Sequence, residues 1–230
     1  MSSPDRTETT VHLLRHGEVH NPSGVLYGRM DGYHLSDRGR KMAQRVADTV
    51  GDRDITHVVA SPLDRAQETA QPVARARGLE VSTDSRVIES TNVFQGKRFG
   101  MGDHVLWKPP AWRYLWNPWK PSWGEPYVDV VARMKAAIAD ARDTAYGHEA
   151  VMVSHQLPIW ITRLHAENRS FVHLPTKRQC TLCSLTSLTF EDNRLVTVRY
   201  SEPAADLIPA KDRSATFSSG GARDQDGSPA

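Results

Sequence analysis

The chain has only two cysteines in 230 residues, which excludes a disulfide framework as the source of its stability. It has no apolar run approaching the roughly 18 residues that suggest a membrane span. Its formal net charge of +2 is too small to argue for nucleic acid or an anionic membrane surface as a partner. The first ten residues, MSSPDRTETT, are polar and carry acid, so they read as a flexible N-terminus and not as the apolar centre of a signal peptide. These absences lead to the expectation of a soluble, cytoplasmic protein without nucleic-acid or membrane partners. Any hold on an anion must then come from a few arginines placed locally. Cys180 and Cys183 stand in a Cys-x-x-Cys spacing without a second ligand pair. They fall in a segment that reads as a strand, where positions three apart point to opposite faces. Neither a metal site nor a cofactor is expected.

What is present is ordinary for a globular domain. Hydrophobic residues make up 39% and charged ones 24%, enough for one buried core over about residues 11–202. Strands are expected at Val11–Leu14, Thr56–Ala60, Val87–Ile88 and Ala150–Val153. Helices are expected after Leu35-Ser36-Asp37-Arg38-Gly39, from Leu63 to about Ala76 with Gly78 closing it, from about Pro126 to Tyr146, and from Pro158 to His165. Thr181–Tyr200 reads as a β-hairpin turning at Glu191-Asp192-Asn193. The alternation predicts a three-layer α/β/α sandwich around a mostly parallel sheet. Two stretches break the rhythm. Residues 97–124 hold five of the six tryptophans, Trp107, Trp112, Trp116, Trp119 and Trp123, without helical or strand period, and read as an insertion capping the domain. From 203 to 230 the chain is rich in Ser, Gly, Asp, Ala and Pro and reads as a disordered tail.

In such sheets the site lies beyond the carboxyl ends of the strands. The residues that follow the expected strands are Arg15-His16, Ser61-Pro62 with Arg65 one helical turn on, Glu89, and Ser154-His155. A phosphoryl group in transit spreads negative charge over its oxygens and needs fixed donors around it. Arg15 and Arg65 suit this because a guanidinium holds two oxygens in one plane and stays charged. His155 is a third donor if it is protonated beside the anion. The imidazole of His16 can attack phosphorus and hold the group covalently, which divides one hard displacement into two easier ones. Glu89 can give the leaving oxygen its proton if burial raises its pKa, and the resulting carboxylate can then activate water. Glu18 and Arg133 read as braces for the loops. The remaining histidines, scattered without spacing, read as ordinary surface or core residues.

Leu14-Arg15-His16-Gly17-Glu18 resembles the phosphohistidine signature of the histidine phosphatase superfamily, which includes the cofactor-dependent phosphoglycerate mutases. Gly28-Arg29-Met30-Asp31 with Leu35–Gly39, Ser61–Ala70, Gly124-Glu125-Pro126 with Arg133, and Val151–His155 resemble further blocks of that family in the same order. The resemblance covers roughly residues 11–200. It implies a phosphoglycerate mutase-like fold, His16 as nucleophile, Arg15, Arg65 and His155 as phosphate ligands, and Glu89 as proton donor. Three positions depart from the family pattern. The family's loop asparagine falls one place early, at Asn21, with Pro22 in its usual position. The acid block Glu89–Gly96 lacks its first glycine and is one residue short, and Gln156 stands where glycine is common. Asn21 is retained as a phosphate-contact candidate.

The expected function is hydrolysis of a small phosphorylated metabolite through a phosphohistidine on His16. The alternatives are a phosphoglycerate-mutase-type phosphotransfer and a phosphate-binding module with weakened catalysis. The short, tryptophan-dominated insertion tilts the reading toward hydrolysis, because mutases exclude water and usually carry a longer one. Homo-oligomerisation stays open, since apolar faces for a core and for a dimer contact look alike in one sequence.

Overall fold

A computed structural model describes residues 7–93, 95–96, 124–173, 177–209 and 221–222. Strand β1 (Glu8–Arg15) is buried along its whole length after Glu8. It pairs in parallel with β5 (Glu149–Ser154) on one side and antiparallel with β6 (Leu185–Glu191) on the other. Beyond β5 lie β3 (Ile55–Ala60) and β4 (Val81–Thr83), both parallel, and beyond β6 lies β7 (Arg194–Ser201), antiparallel. The sheet order is β4-β3-β5-β1-β6-β7. A separate two-residue ladder joins β2 (Val19–His20) to β8 (Gly221–Ala222).

The central strands are apolar on both faces because helices cover both. Val11, Leu13, Ala150 and Met152 pack with Val130, Met134 and Ile138 of α3 (Tyr127–Thr144) and Ile161 and Leu164 of α4 (Gln156–Ala166). Their alternating neighbours Leu14, Val58, Ala60, Val151 and Val153 pack with Met42 and Val46 of α1 (Asp37–Thr49) and Ala66, Ala70 and Val73 of α2 (Asp64–Arg77). Each fully buried large apolar side chain contributes roughly 1.5–3 kcal/mol, so β1 and β5 are held firmly between the two helix layers. This is the expected three-layer sandwich, with four parallel strands extended by an antiparallel hairpin. Helix boundaries follow local chemistry. Ser36 Oγ accepts the Gly39 N–H at 2.9 Å to start α1, and Gly78, at φ 64°, ends α2 in the left-handed region.

Three expectations need correction. Val87-Ile88 is not a strand: Asp84 accepts the Arg86 N–H at 2.7 Å and turns the chain into a short 3₁₀ segment, Ser85–Val87. The paired strand lies earlier, at Val81–Thr83, while Val87 is buried against the α3 side of the core. Cys180 and Cys183 sit in a turn before β6, both buried and free, with Cys183 at φ 54°. The packed chain also continues past residue 203. Ala204 and Ile208 join the α1/α2 cluster, and Asp206 pairs with Arg45 at 2.9 Å. The tryptophan-rich insertion, with Trp107, Trp112, Trp116, Trp119 and Trp123, lies outside the described residues. Among the described residues no helix is long and apolar enough to cross a membrane, and no three metal-binding side chains stand together.

Candidate active site

Strands β3, β5 and β1 are neighbours and parallel, so their carboxyl ends share one edge. Their ladders run one residue further: Ser61 N–H donates to Val153 C=O at 3.0 Å and His16 N–H to Ser154 C=O at 3.1 Å. Backbone pairing thus fixes Arg15, His16, Ser61 and His155 side by side. The acid segment reaches the same edge by another route. Ser154 Oγ donates to Val87 C=O at 2.7 Å, which ties the turn before Glu89 to the end of β5.

His16 is 3% exposed, and its Nδ1 lies 2.8 Å from the Gly17 carbonyl. A carbonyl only accepts, so Nδ1 carries the proton and Nε2 keeps its lone pair. Burial, then the charges of Arg65 and Arg15, push the His16 pKa well below the ordinary histidine value against the opposing Gly17 bond. The ring is therefore neutral and nucleophilic at neutral pH. The His155 ring is 5.2 Å away, centroid to centroid. Its Nε2 pairs with Ser61 Oγ at 2.8 Å, and its buried Nδ1 has no partner among the described residues. Burial, with Arg65 next in weight, also lowers the His155 pKa well below normal.

The two arginines are anchored at one end by carbonyls. Arg15 Nη1 donates to Cys180 C=O at 2.7 Å. Arg65 Nη2 donates to Gly28 C=O at 2.6 Å, while its buried Nε and Nη1 have no partner among the described residues. Gly28 must be glycine: its φ is 44°, and a Cβ there would meet Gln95 Oε1 at 2.5 Å. The Arg65 guanidinium also lies over the Tyr27 ring, 4.7 Å from its centroid. Thr69 Oγ1 accepts the Gly17 N–H at 3.0 Å and donates to Arg65 C=O at 2.6 Å, locking the His16 loop to α2. Close packing does the rest. A Cβ on Gly17 would stand 2.8 Å from the Gly39 carbonyl oxygen, and one on Gly39 would stand 2.0 Å from that of Glu18.

Glu89 carries a raised pKa. Burial raises it, and the Ser90 N–H together with Arg65, Arg15 and Arg178 opposes without cancelling. The Ser90 N–H donates to Glu89 Oε1 at 2.8 Å, and Arg29 Nε donates to the Glu89 carbonyl at 2.5 Å. Arg29 is in turn held by Glu125 at 3.1 Å, and Glu125 takes two further bonds from Arg133 at 2.8 and 3.1 Å. Arg133 Nη1 also reaches Arg86 C=O. Glu125 thus links the Arg29 loop, the acid segment and α3. The combined arrangement offers two guanidinium groups, two neutral imidazoles and one carboxyl held toward its protonated form. That set can receive a phosphate dianion and move a proton beside it.

The bracing roles expected of Glu18 and Arg133 match the bonds they make. Glu18 accepts from Ser36 Oγ at 2.6 Å and Arg38 Nη1 at 2.9 Å. Asn21 donates from Nδ2 to Val25 C=O at 2.8 Å and accepts the Val25 N–H on Oδ1 at 3.2 Å, so its amide braces its own loop and keeps one N–H for the expected phosphate contact. Gln156 does two things, opening α4 and placing Nε2 3.5 Å from the Cys180 carbonyl. Sequence reasoning missed Tyr27, whose hydroxyl pKa burial pushes up to about 12. It also missed Arg178, whose loop carries no period or motif that would have marked it.

An uncharacterised protein of Mycobacterium tuberculosis, Rv0525, is 54% identical over 198 residues, covering 86% of this chain and 98% of the relative. Phosphoserine phosphatase 1 of Hydrogenobacter thermophilus is 33% identical over 153 residues, covering 64% of this chain and 71% of the relative. The solved structure of a mycobacterial glucosyl-3-phosphoglycerate phosphatase superposes with a TM-score of 0.67 at 25% identity, covering 84% of this chain and 96% of that one. A family model described as the histidine phosphatase superfamily, branch 1, matches residues 11–203. This chain belongs to that superfamily and is an enzyme of the phosphatase or mutase kind.

Proposed function

We propose that the protein hydrolyses a small phosphorylated metabolite, with the phosphoryl group passing through His16. The observation that carries this reading is the His16 tautomer: Nδ1–H is committed to the Gly17 carbonyl, which leaves the Nε2 lone pair beside two buried arginines. In the first step Nε2 attacks phosphorus, the P–O ester bond breaks, and Glu89 gives its proton to the departing oxygen. Arg65, through the two nitrogens that have no partner among the described residues, and Arg15 take the charge on the phosphoryl oxygens. His155 adds Nδ1–H as a donor once the dianion beside it favours protonation. In the second step the Glu89 carboxylate takes a proton from water, the water oxygen bonds to phosphorus, and the N–P bond breaks. Inorganic phosphate leaves, and both His16 and Glu89 return to their starting states.

Two relatives named as phosphatases, one for phosphoserine and one for glucosyl-3-phosphoglycerate, support hydrolysis over mutase-type transfer. The test is rapid-quench labelling with a phosphomonoester labelled at phosphorus. Acid-labile, alkali-stable label on the protein, absent from His16→Ala, is expected together with stoichiometric phosphate release. Rapid isomerisation of a phosphoglycerate primed by bisphosphoglycerate, without phosphate release, would sink the hydrolase reading. Absence of both label and turnover would leave a phosphate-binding module.

A further inference from the structure

Arg65 lies almost wholly inside the protein, at 1% exposure, yet its guanidinium is held by few bonds. Nη2 donates to the Gly28 carbonyl at 2.6 Å, and Nε and Nη1 have no hydrogen-bond partner among the described residues. No carboxylate there holds it by a hydrogen bond. A single bond fixes one corner of a planar fork and leaves the fork free to swing about that corner. A group meant to offer two particular N–H groups to phosphoryl oxygens needs a second hold.

The residue next to Gly28 supplies it. The Arg65 Cζ stands over the Tyr27 ring, 4.7 Å from its centroid. A cation is attracted to the electron-rich face of an aromatic ring, and more strongly once water is excluded. Unlike an ion pair, this contact leaves the positive charge uncancelled. The ring is itself fixed in place. Tyr27 is 5% exposed, stacks on Tyr33 at 4.9 Å between centroids with the planes 28° apart, and meets His16 edgewise at 6.4 Å and 63°. Its backbone is pinned as well: the Gly96 N–H donates to the Leu26 carbonyl at 2.9 Å, and the Met30 N–H to the Tyr27 carbonyl at 2.7 Å. Burial pushes the Tyr27 hydroxyl pKa up to about 12, so the ring meets Arg65 as a neutral phenol.

We infer that Tyr27 is a positioning residue for phosphoryl transfer: its ring face orients the Arg65 guanidinium, directing Nε and Nη1 to the phosphoryl oxygens without neutralising the charge those oxygens need. This rests on the reading of Arg65 as a phosphate ligand. The hold is electronic as well as steric, so an apolar side chain that only fills the space does not replace it.

The test measures binding of inorganic phosphate to the full-length protein by calorimetry. It compares wild type with Tyr27→Phe, Tyr27→Leu, and difluorophenylalanine and pentafluorophenylalanine placed at position 27 by amber suppression. Fluorine draws electron density from the ring face while changing the ring's size little. Tyr27→Phe is expected to stay within about twofold of wild type, since the hydroxyl takes no part. Affinity should then fall stepwise with fluorination, reaching a loss of roughly 3–30-fold for the pentafluoro ring and for Tyr27→Leu. The fluorinated rings keep the test sound if leucine loosens the loop. The same series in His16→Ala removes the ring's edge contact with His16, and the stepwise fall should persist. A flat series, or one in which affinity rises, would overturn the inference, and phosphohistidine labelling of His16 would then still stand. A stepwise fall in a protein that never labels would uphold the hold on Arg65 while removing the hydrolase reading.

Discussion

Replacing Glu89 by glutamine removes the two proton transfers assigned to it, donation to the leaving oxygen and acceptance from water, and leaves the phosphate ligands in place. Glutamine keeps the size and can still accept the Ser90 N–H that Oε1 accepts at 2.8 Å, while the backbone hold by Arg29 is untouched. Loss of a positioned general acid lowers the rate by roughly 10²–10⁴-fold, which corresponds to about 3–5 kcal/mol in the barrier. In kcat/KM, which reports transfer of the phosphoryl group to His16, that loss applies only where the leaving oxygen needs a proton; kcat also carries the second step, in which Glu89 serves every substrate as base. An alkyl phosphate leaves as an alkoxide and should suffer the full loss, whereas p-nitrophenyl phosphate leaves as a stable phenolate and should lose less than about tenfold. The pH dependence follows from the two shifts. Glu89 works as an acid while protonated, and its pKa is raised, so kcat/KM falls as pH rises through that raised value. His16 works as a nucleophile while neutral, and its pKa is lowered, so activity falls only as pH drops through a value well below 6.5. The assay is phosphate release from both substrates across the pH range, for wild type and Glu89→Gln. An equal loss in kcat/KM on both substrates, or a basic limb of kcat/KM that persists in the variant with alkyl phosphate, would refute the assignment of Glu89.

Three further outcomes follow from the packing and the braces. Gly39→Ala places a Cβ 2.0 Å from the Glu18 carbonyl oxygen, a backbone atom that cannot give way, so a loss of about 3 kcal/mol or more is expected in urea unfolding; an unchanged midpoint contradicts it. Glu125→Gln strips the charge from a carboxylate that Arg29 and Arg133 share, at 17% side-chain exposure. It should cost about 2 kcal/mol of stability and shift the basic limb of the pH profile, because Arg29 holds the Glu89 backbone; a stability loss without any change in that limb shows a brace with no hold on the acid. Away from the site, burial raises the Glu149 pKa, but bonds from His12 at 2.9 Å and Arg53 at 2.6 Å outweigh it and hold the carboxyl at about 2. The folded-state value is depressed, so its contribution, roughly 2–3 kcal/mol after allowance for partial exposure, is complete above pH 4.5 and lost on acidification toward about pH 2. Glu149→Gln should flatten this part of the acid-unfolding curve; identical curves would remove the network from the account.

The amino-acid sequence determined the layers and the phosphate chemistry because both are written in local patterns. The run Val11–Leu14, apolar except for His12, announces a strand, and Ser36 and Gly78 announce a helix start and a helix end through side-chain capping and backbone freedom. Arg15, His16, Arg65 and His155 could be placed together because each follows or nearly follows an expected strand, and parallel strands share an edge. The tertiary structure decided what depends on partners far along the chain. Val87-Ile88 has the composition of a strand, but Asp84 turns the chain and Ser154, 67 residues away, fastens the turn. Asn21 is a phosphate-contact candidate in the sequence, and only the fold shows its amide bracing the loop through Val25. Arg178 sits in a loop with no pattern, and only the folded chain sets its Nε against His173 Nε2. Even at His16 the two sources divide the work. The residue type gives an imidazole, the group proposed as nucleophile, while the bond to Gly17 selects its tautomer and burial beside two arginines disfavours its protonation.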